Sequence, residues 1–260
     1  MSHHGMLLPR GMTKREFGKK PKAGRFGELF PDLPRLISNP HDLLAAGRID
    51  GPMDEGDHGA IGATTTPLGY VFLGQFIDHD ITLDVTSSFD KLNDPEATQN
   101  FRTPALDLDC IYGAGPDASR HLYYHAPPNP NSTQKAIDDK HLLTLGDDFV
   151  RALSDSLSNP NRAALIGDFR NDENRVVSQL QLTMHYFHNA VVNHLIAAGT
   201  PNDEIFEEAQ RITRWHYQWV VVHDFLARMV GKTLVDDILC NGTKIFRSRR
   251  TPILISLLLC

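Results

Sequence analysis

Cysteine is nearly absent from this sequence: Cys110, Cys240 and Cys260 are the only three in 260 residues. Their odd number and wide separation exclude a disulfide framework and the close ligand spacing of a zinc site, and they fit a reducing compartment. No apolar run approaches the roughly 18 residues of a membrane span, and residues 1–20 offer only Met6-Leu7-Leu8 where a signal peptide needs a longer apolar core. A soluble protein with no signal peptide is expected, with the cytoplasm favoured. Positive charge is also lacking, with a net charge of -6 and a pI near 6.1, which gives no general electrostatic reason to bind nucleic acid or anionic lipid. The basic run Lys14 to Arg25 reads as a solvated arm. Asn131-Ser132-Thr133 and Asn241-Gly242-Thr243 match glycosylation acceptors, but without a secretory signal they read as polar loops. Strand-like alternation and internal repeats are scarce as well, so the fold class is mainly α.

The composition, 41% hydrophobic and 22% charged, supports one domain with a sizeable core. Residues 1 to about 60 are rich in Gly, Pro, His and Asp and read as an arm with loops around a helical body. A helix is expected over about 67–82, with Thr66 as N-cap, Pro67 at the first helical position and Leu68, Val71, Phe72 and Phe76 at helical spacing. Long loops follow, from Thr86 to Arg102 and around Pro127, Pro128 and Pro130. A long helix then starts from a cap at Asn171 or Asp172 and carries Val176, Val177, Leu180, Met184, Phe187, Val191 and Leu195 until Gly199. A second runs from Ile205 through Ala209, Ile212, Trp219, Val222, Leu226 and Val230 to Gly231.

Chemistry concentrates in Gly74-Gln75-Phe76-Ile77-Asp78-His79-Asp80, which puts an amide, an imidazole and two carboxylates on what should be an amphipathic helix. At 100° per residue Gln75 and His79 share a face and Asp78 lies beside them, whereas Asp80 points about a third of a turn away towards a different partner. A lone histidine is ordinarily a hydrogen-bonded core residue; here the surrounding polar face points to a base. His185 with His188, and His121 with His125, are spaced for two ligands on one helical face, but neither pair has a third ligand, so packing roles are expected. Trp215, Tyr217 and Trp219 read as core and rim residues.

The same helix motif, the run Arg102-Thr103-Pro104-Ala105-Leu106-Asp107-Leu108-Asp109-Cys110-Ile111-Tyr112-Gly113, and Gly167-Asp168-Phe169-Arg170-Asn171-Asp172-Glu173-Asn174 followed by His188-Asn189 occur in the order of the animal-type haem peroxidases. The chain resembles that family over about residues 25–250. The resemblance implies a helical haem-peroxidase-like domain with long loops, acting on hydrogen peroxide and a small reducing substrate. His79 would be the distal base, Arg170 the oxyanion-stabilising charge, and Gln75 a hydrogen-bond partner for the distal water or a halide. Asp78 and Glu173 would face a b-type haem and could form ester bonds to it; Asn174 excludes the extra sulfonium link that some members make through methionine at this position. Asp80, Thr103, Ala105, Asp107 and Asp109 would bind calcium, whose preference for hard oxygen ligands this oxygen-rich run meets.

The family's proximal histidine should follow the region of Asn241-Gly242, whereas the last histidine here is His223. The basic run Arg247 to Arg250 leads into an apolar ending from Thr251 to Cys260 that is unlike the family. The expectation is an incomplete, distal-half peroxidase domain: an arm over 1–30, a partial domain over 31–250 and an anomalous tail over 251–260. Two alternatives stand beside an impaired peroxidase, namely a catalytically silent calcium-binding fragment and a fatty-acid dioxygenase relative.

Overall fold

The computed structural model describes residues 33–34, 37–54, 66–85, 87–88, 98–103, 105–124, 139–152 and 162–242. The expected arm over 1–30, the loop at Pro127 to Asn131, His125, Pro104, Thr243 and the tail over 251–260 lie outside the described residues. Within them the chain is mainly helical and has no β-sheet, only isolated bridges pairing Tyr123 with Leu142, Leu145 with Asp148 and Arg151 with Ala164.

Helix α1 (Pro40–Gly47) is capped by Asn39, whose side chain accepts from the His41 amide, and buries none of its residues. The functional motif lies on α2 (Gly69–Ile81). Its helical register begins two residues later than expected and without a side-chain cap: the Pro67 and Leu68 carbonyls are taken by the Tyr70 and Val71 amides in a tight opening turn. At the other end the Thr82 amide and hydroxyl both donate to the Asp78 carbonyl. A short helix, α3 (Asp109–Tyr112), follows two left-handed residues, Leu106 (φ 52°) and Leu108 (φ 61°), that bend the chain sharply.

The long helix α4 (Arg175–Ala197) starts later than expected. Asn174, with extended backbone, accepts from the Val177 amide and is the cap, while Phe169–Asp172 forms a separate 3-10 turn just before it. Its end is as expected: Gly199 adopts φ 78°, and the Thr200 amide reaches back to the Leu195 carbonyl. Helix α5 (Ile205–Val220) continues into wider π turns, Val221–Phe225 and Ala227–Gly231. Gly231 then turns at φ 94° into α6 (Lys232–Asn241). The apolar stripe expected to reach Val230 therefore loses its register, and Met229 and Val230 are exposed.

The main core lies among α2, α3, α4 and α5, with Phe76, Leu108, Ile111, Tyr112, Val177 and Phe206 buried. Tyr112 meets both His188 and Phe206 edge-on. Tyr217 is a core residue and packs edge-on against Phe76, but Trp215 and Trp219 are exposed, Trp215 lying under the Arg211 guanidinium at 4.0 Å.

A polar strip on α4 holds the segment 140–143 against the core. His188 Nε2 donates to the Lys140 carbonyl (2.8 Å) and His185 Nδ1 to the Leu143 carbonyl (3.1 Å). Asn189 grips Leu142 from both sides, accepting from its amide (2.8 Å) and donating to its carbonyl (2.9 Å), so one side chain replaces a strand partner. Leu142 is fully buried, and its backbone groups would otherwise lack partners there. Asn189→Ala is expected to cost about 2–4 kcal/mol in denaturant unfolding. Asn189→Asp, which keeps only the acceptor, should fall between the two; a loss below about 0.5 kcal/mol for the alanine variant would show that the grip contributes little.

Candidate functional site

His79 and Gln75 share one face of α2, and both look onto the turn that leads into α4. His79 is buried, and its Nδ1 lies 2.6 Å from Asn171 Oδ1; facing an amide oxygen, this nitrogen donates. Gln75 donates to Glu173 in a short contact and accepts from Asn174 at 3.3 Å. The sequence predicted this shared face but missed Asn171 as the partner, because nothing in a helix pattern says which loop residue will lie opposite.

Arg170 reaches the same end of α2 by its backbone. Its Nη2 donates to the carbonyls of His79 (2.9 Å) and Thr82 (2.6 Å), where the last carbonyls of the helix are unpaired. The same Nη2 (2.8 Å) and the neighbouring Nε (3.0 Å) also bind Asp168, and Arg102 meets that carboxylate at 2.6 Å. Burial alone would raise the pKa of Asp168, but hydrogen bonds from Arg170 and Arg102 outweigh it, and the carboxyl is held below the usual carboxylate range. Arg170 therefore clamps the helix that carries His79, through contacts with Asp168 and main-chain oxygen.

Asp78 is exposed and accepts from the Thr82 hydroxyl at 3.2 Å. Glu173 is exposed and engaged by Gln75; with Asn174, Asp148, Arg151, Asp172 and Arg175 it lines a polar cleft of about 640 Å³.

Asp80 faces the opposite way, as its helical angle predicted. It is completely buried, and neither carboxylate oxygen reaches a hydrogen-bond partner. Burial first and the nearby Asp107 second push its pKa up to about 6, with the Leu108 backbone and Cys110 thiol only softening the cost. The same surroundings raise the Cys110 thiol and the Tyr217 phenol well above their ordinary values, burial being the main cause for both.

A model of the animal haem peroxidase family matches residues 85–251, most of the chain. The chain belongs to the animal haem peroxidase family. The match begins just after α2, so in this animal haem peroxidase relative the helix with Gln75 and His79 lies immediately before the matched span, while Arg170 and its turn lie within it. No curated protein matches the chain closely enough to lend it a substrate.

Family membership implies haem and calcium, and the residues present do not fit either expectation. No group of three or more His, Cys, Asp or Glu side chains among the described residues is placed to hold a metal ion, which overturns the assignment of haem iron and calcium. The local reasons are visible. The carboxylates expected at a haem, Asp78 and Glu173, are exposed and bonded to Thr82 and Gln75. In the expected calcium run the Thr103 hydroxyl donates to Asp107 at 2.6 Å, the Ala105 carbonyl accepts from Gln218 at 3.3 Å, and the Asp107 carbonyl accepts from Arg214 at 2.6 Å. Asp109 opens α3, and protein donors take these oxygens of the run, while both Asp80 carboxylate oxygens and Asp107 Oδ1 have no hydrogen-bond partner. His185 and His188 are packed, buried and hydrogen-bonded, as expected, whereas His121 is exposed and does not pack.

The raised pKa of Asp80 carries a stability consequence of definite sign. Its folded value of about 6 lies above the unfolded value near ~4, so the penalty is absent below about pH 4 and grows as pH rises through 6. Asp80→Asn is expected to stabilise the protein by roughly 2–3 kcal/mol at pH 8 and to have little effect at pH 4. Denaturant unfolding at the two pH values measures this. An equal effect at both would place the cost in packing, not charge.

Proposed function

We propose that the chain is an oxidoreductase of the peroxidase class, which reduces hydrogen peroxide at the expense of a small reducing substrate. One peroxide and two one-electron donors AH give two waters and two donor radicals, so the protein's own task is to move a proton between the peroxide oxygens. The observation that supports the reading is the hydrogen bond from His79 Nδ1 to Asn171, which leaves Nε2 as the lone-pair nitrogen of a neutral imidazole. Nε2 takes a proton from one peroxide oxygen and returns it to the other as the O–O bond breaks, while the two donors AH supply the two electrons and two hydrogens that complete both waters. Gln75 stands one turn earlier on the same face. One of its two amide hydrogens goes to Glu173, and the other is the donor assigned to the peroxide. Arg170 is a positioning residue in this reading, since it fixes the end of α2 and brings a permanent positive charge beside it.

A catalytically silent member of the family is the second reading. It is favoured by the commitment of Arg170 Nε and Nη2 to Asp168 and two carbonyls, which ties most of the guanidinium's donors to the protein where a peroxidase needs charge for an oxyanion.

Peroxide consumption coupled to oxidation of a phenolic donor separates the two readings in the full chain as purified. His79→Ala is expected to slow the peroxide step by at least about 100-fold with the helical content unchanged, the usual size of a positioned proton-transfer group. Arg170→Ala should lower the rate and the thermal midpoint together. Activity indistinguishable from the buffer blank in the parent would establish the silent reading, and equal activity above the blank in parent and His79→Ala would remove His79 as the base.

A further inference from the structure

The bond between His79 and Asn171 is the outer end of a longer series. Asn171 Nδ2 donates to Gln181 Oε1 at 2.7 Å. Gln181 Nε2 lies 2.9 Å from His185 Nε2, and His185 Nδ1 lies 3.1 Å from the Leu143 carbonyl. Asn171, Gln181 and His185 are all fully buried, so no water competes for these groups. They come from separate parts of the fold: the 3-10 turn, two successive turns of α4, and the segment that α4 holds.

The direction of the series is fixed at its inner end. A carbonyl only accepts, so His185 Nδ1 carries hydrogen, and a neutral imidazole then presents a lone pair at Nε2. Burial pushes the pKa of His185 down to about 4, which keeps it neutral at physiological pH. Gln181 must therefore turn its NH2 group to His185, and the second hydrogen of that group points to the Cys110 carbonyl at 3.4 Å, an acceptor that suits this orientation only. The oxygen of Gln181 then faces Asn171, which answers with its own NH2 group and turns its oxygen to His79. An acceptor there leaves His79 no choice but to protonate Nδ1.

We infer that Asn171, Gln181 and His185 form a one-way hydrogen-bond series, anchored on the Leu143 carbonyl, that holds His79 in the Nδ1–H tautomer and presents Nε2 as the base. The three are positioning residues, and their importance for catalysis rests on the proposed role of His79. Without Gln181, Asn171 has no reason to prefer one orientation, and a rotation of its amide would offer NH2 to His79 and put the hydrogen on Nε2, where it blocks proton acceptance. The cost of a half-satisfied buried network reinforces the bias towards a single arrangement.

Nitrogen-15 spectroscopy of the histidine rings in the full chain tests the inference without reference to activity. The parent is expected to show His79 wholly as the Nδ1–H tautomer. Gln181→Met, close in volume, should produce a measurable Nε2–H population at His79 and, where the parent is active, lower kcat about 10-fold with KM unchanged. Asn171→Asp keeps an acceptor facing His79 and should retain the Nδ1–H tautomer, so it decides the matter if Gln181→Met does not fold. An Nε2–H tautomer in the parent or in Asn171→Asp overturns the inference, as does a folded Gln181→Met in which His79 stays wholly Nδ1–H. If the tautomers behave as expected while His79→Ala leaves the peroxide rate unchanged, the series stands and the peroxidase reading fails.

Discussion

Asp168 is the group on which the arrangement of the site depends. Its buried carboxylate collects the side chains of Arg102 and Arg170 and the Arg170 amide, so the turn at 167–172 is closed by charge instead of apolar packing. Removing two charges from water is costly, and the gain is recovered only when the remaining donors find acceptors. Arg170 finds them at the carbonyl end of α2, where the helix has unpaired oxygens and partial negative charge. The result is geometric: α2 cannot shift along its axis without leaving a partly buried guanidinium short of partners. Asn171, the next residue, is thereby delivered to His79.

The long helix α4 is best understood from its buried polar side. Gln181, His185 and His188 are as inaccessible as the leucines of the core, yet each is matched to a partner of the right kind. Burial lowers the pKa of both histidines to about 4, which keeps them neutral and lets each serve as one donor and one acceptor. Such groups add little net stability compared with apolar packing, but they penalise any register in which they are unpaired. They thus set which part of the 139–152 segment meets which turn of α4.

The opposite face of α2 shows the contrary case. Asp80 is desolvated beside Asp107 without a hydrogen-bond partner at either oxygen, and its carboxyl is pushed towards the neutral form. Two successive residues of one helix, His79 and Asp80, therefore sit in environments of opposite character: the His79 ring is held by Asn171 through Nδ1, while neither Asp80 oxygen has a hydrogen-bond partner. Oxygen-bearing residues at alternate positions can be read from a sequence; whether their oxygens meet at a point is a property of the folded chain. Here Thr103, Gln218 and Arg214 take up the oxygens of Asp107 and Ala105 instead.

The sequence by itself determined the mainly helical class, the family, the shared face of Gln75 and His79, the divergence of Asp80, and the glycine ends at Gly199 and Gly231. All of these follow from local rules: helical period, motif order, and the freedom of glycine at positive φ. It placed the α2 and α4 starts two to three residues too early, because Thr66, Asn171 and Asp172 are good caps in isolation and the tight turns that precede each helix depend on contacts made elsewhere. Only the tertiary structure decided that Arg170 clamps a helix end, that Asp78 and Glu173 stay at the surface, that Trp215 and Trp219 lie outside the core, and that Asn171, Gln181 and His185 line up behind His79. These outcomes turn on which donor meets which acceptor across residues far apart in the chain, such as the 92 positions between His79 and Asn171. A hydrogen bond of this kind has no local signature, since either partner alone is compatible with many others.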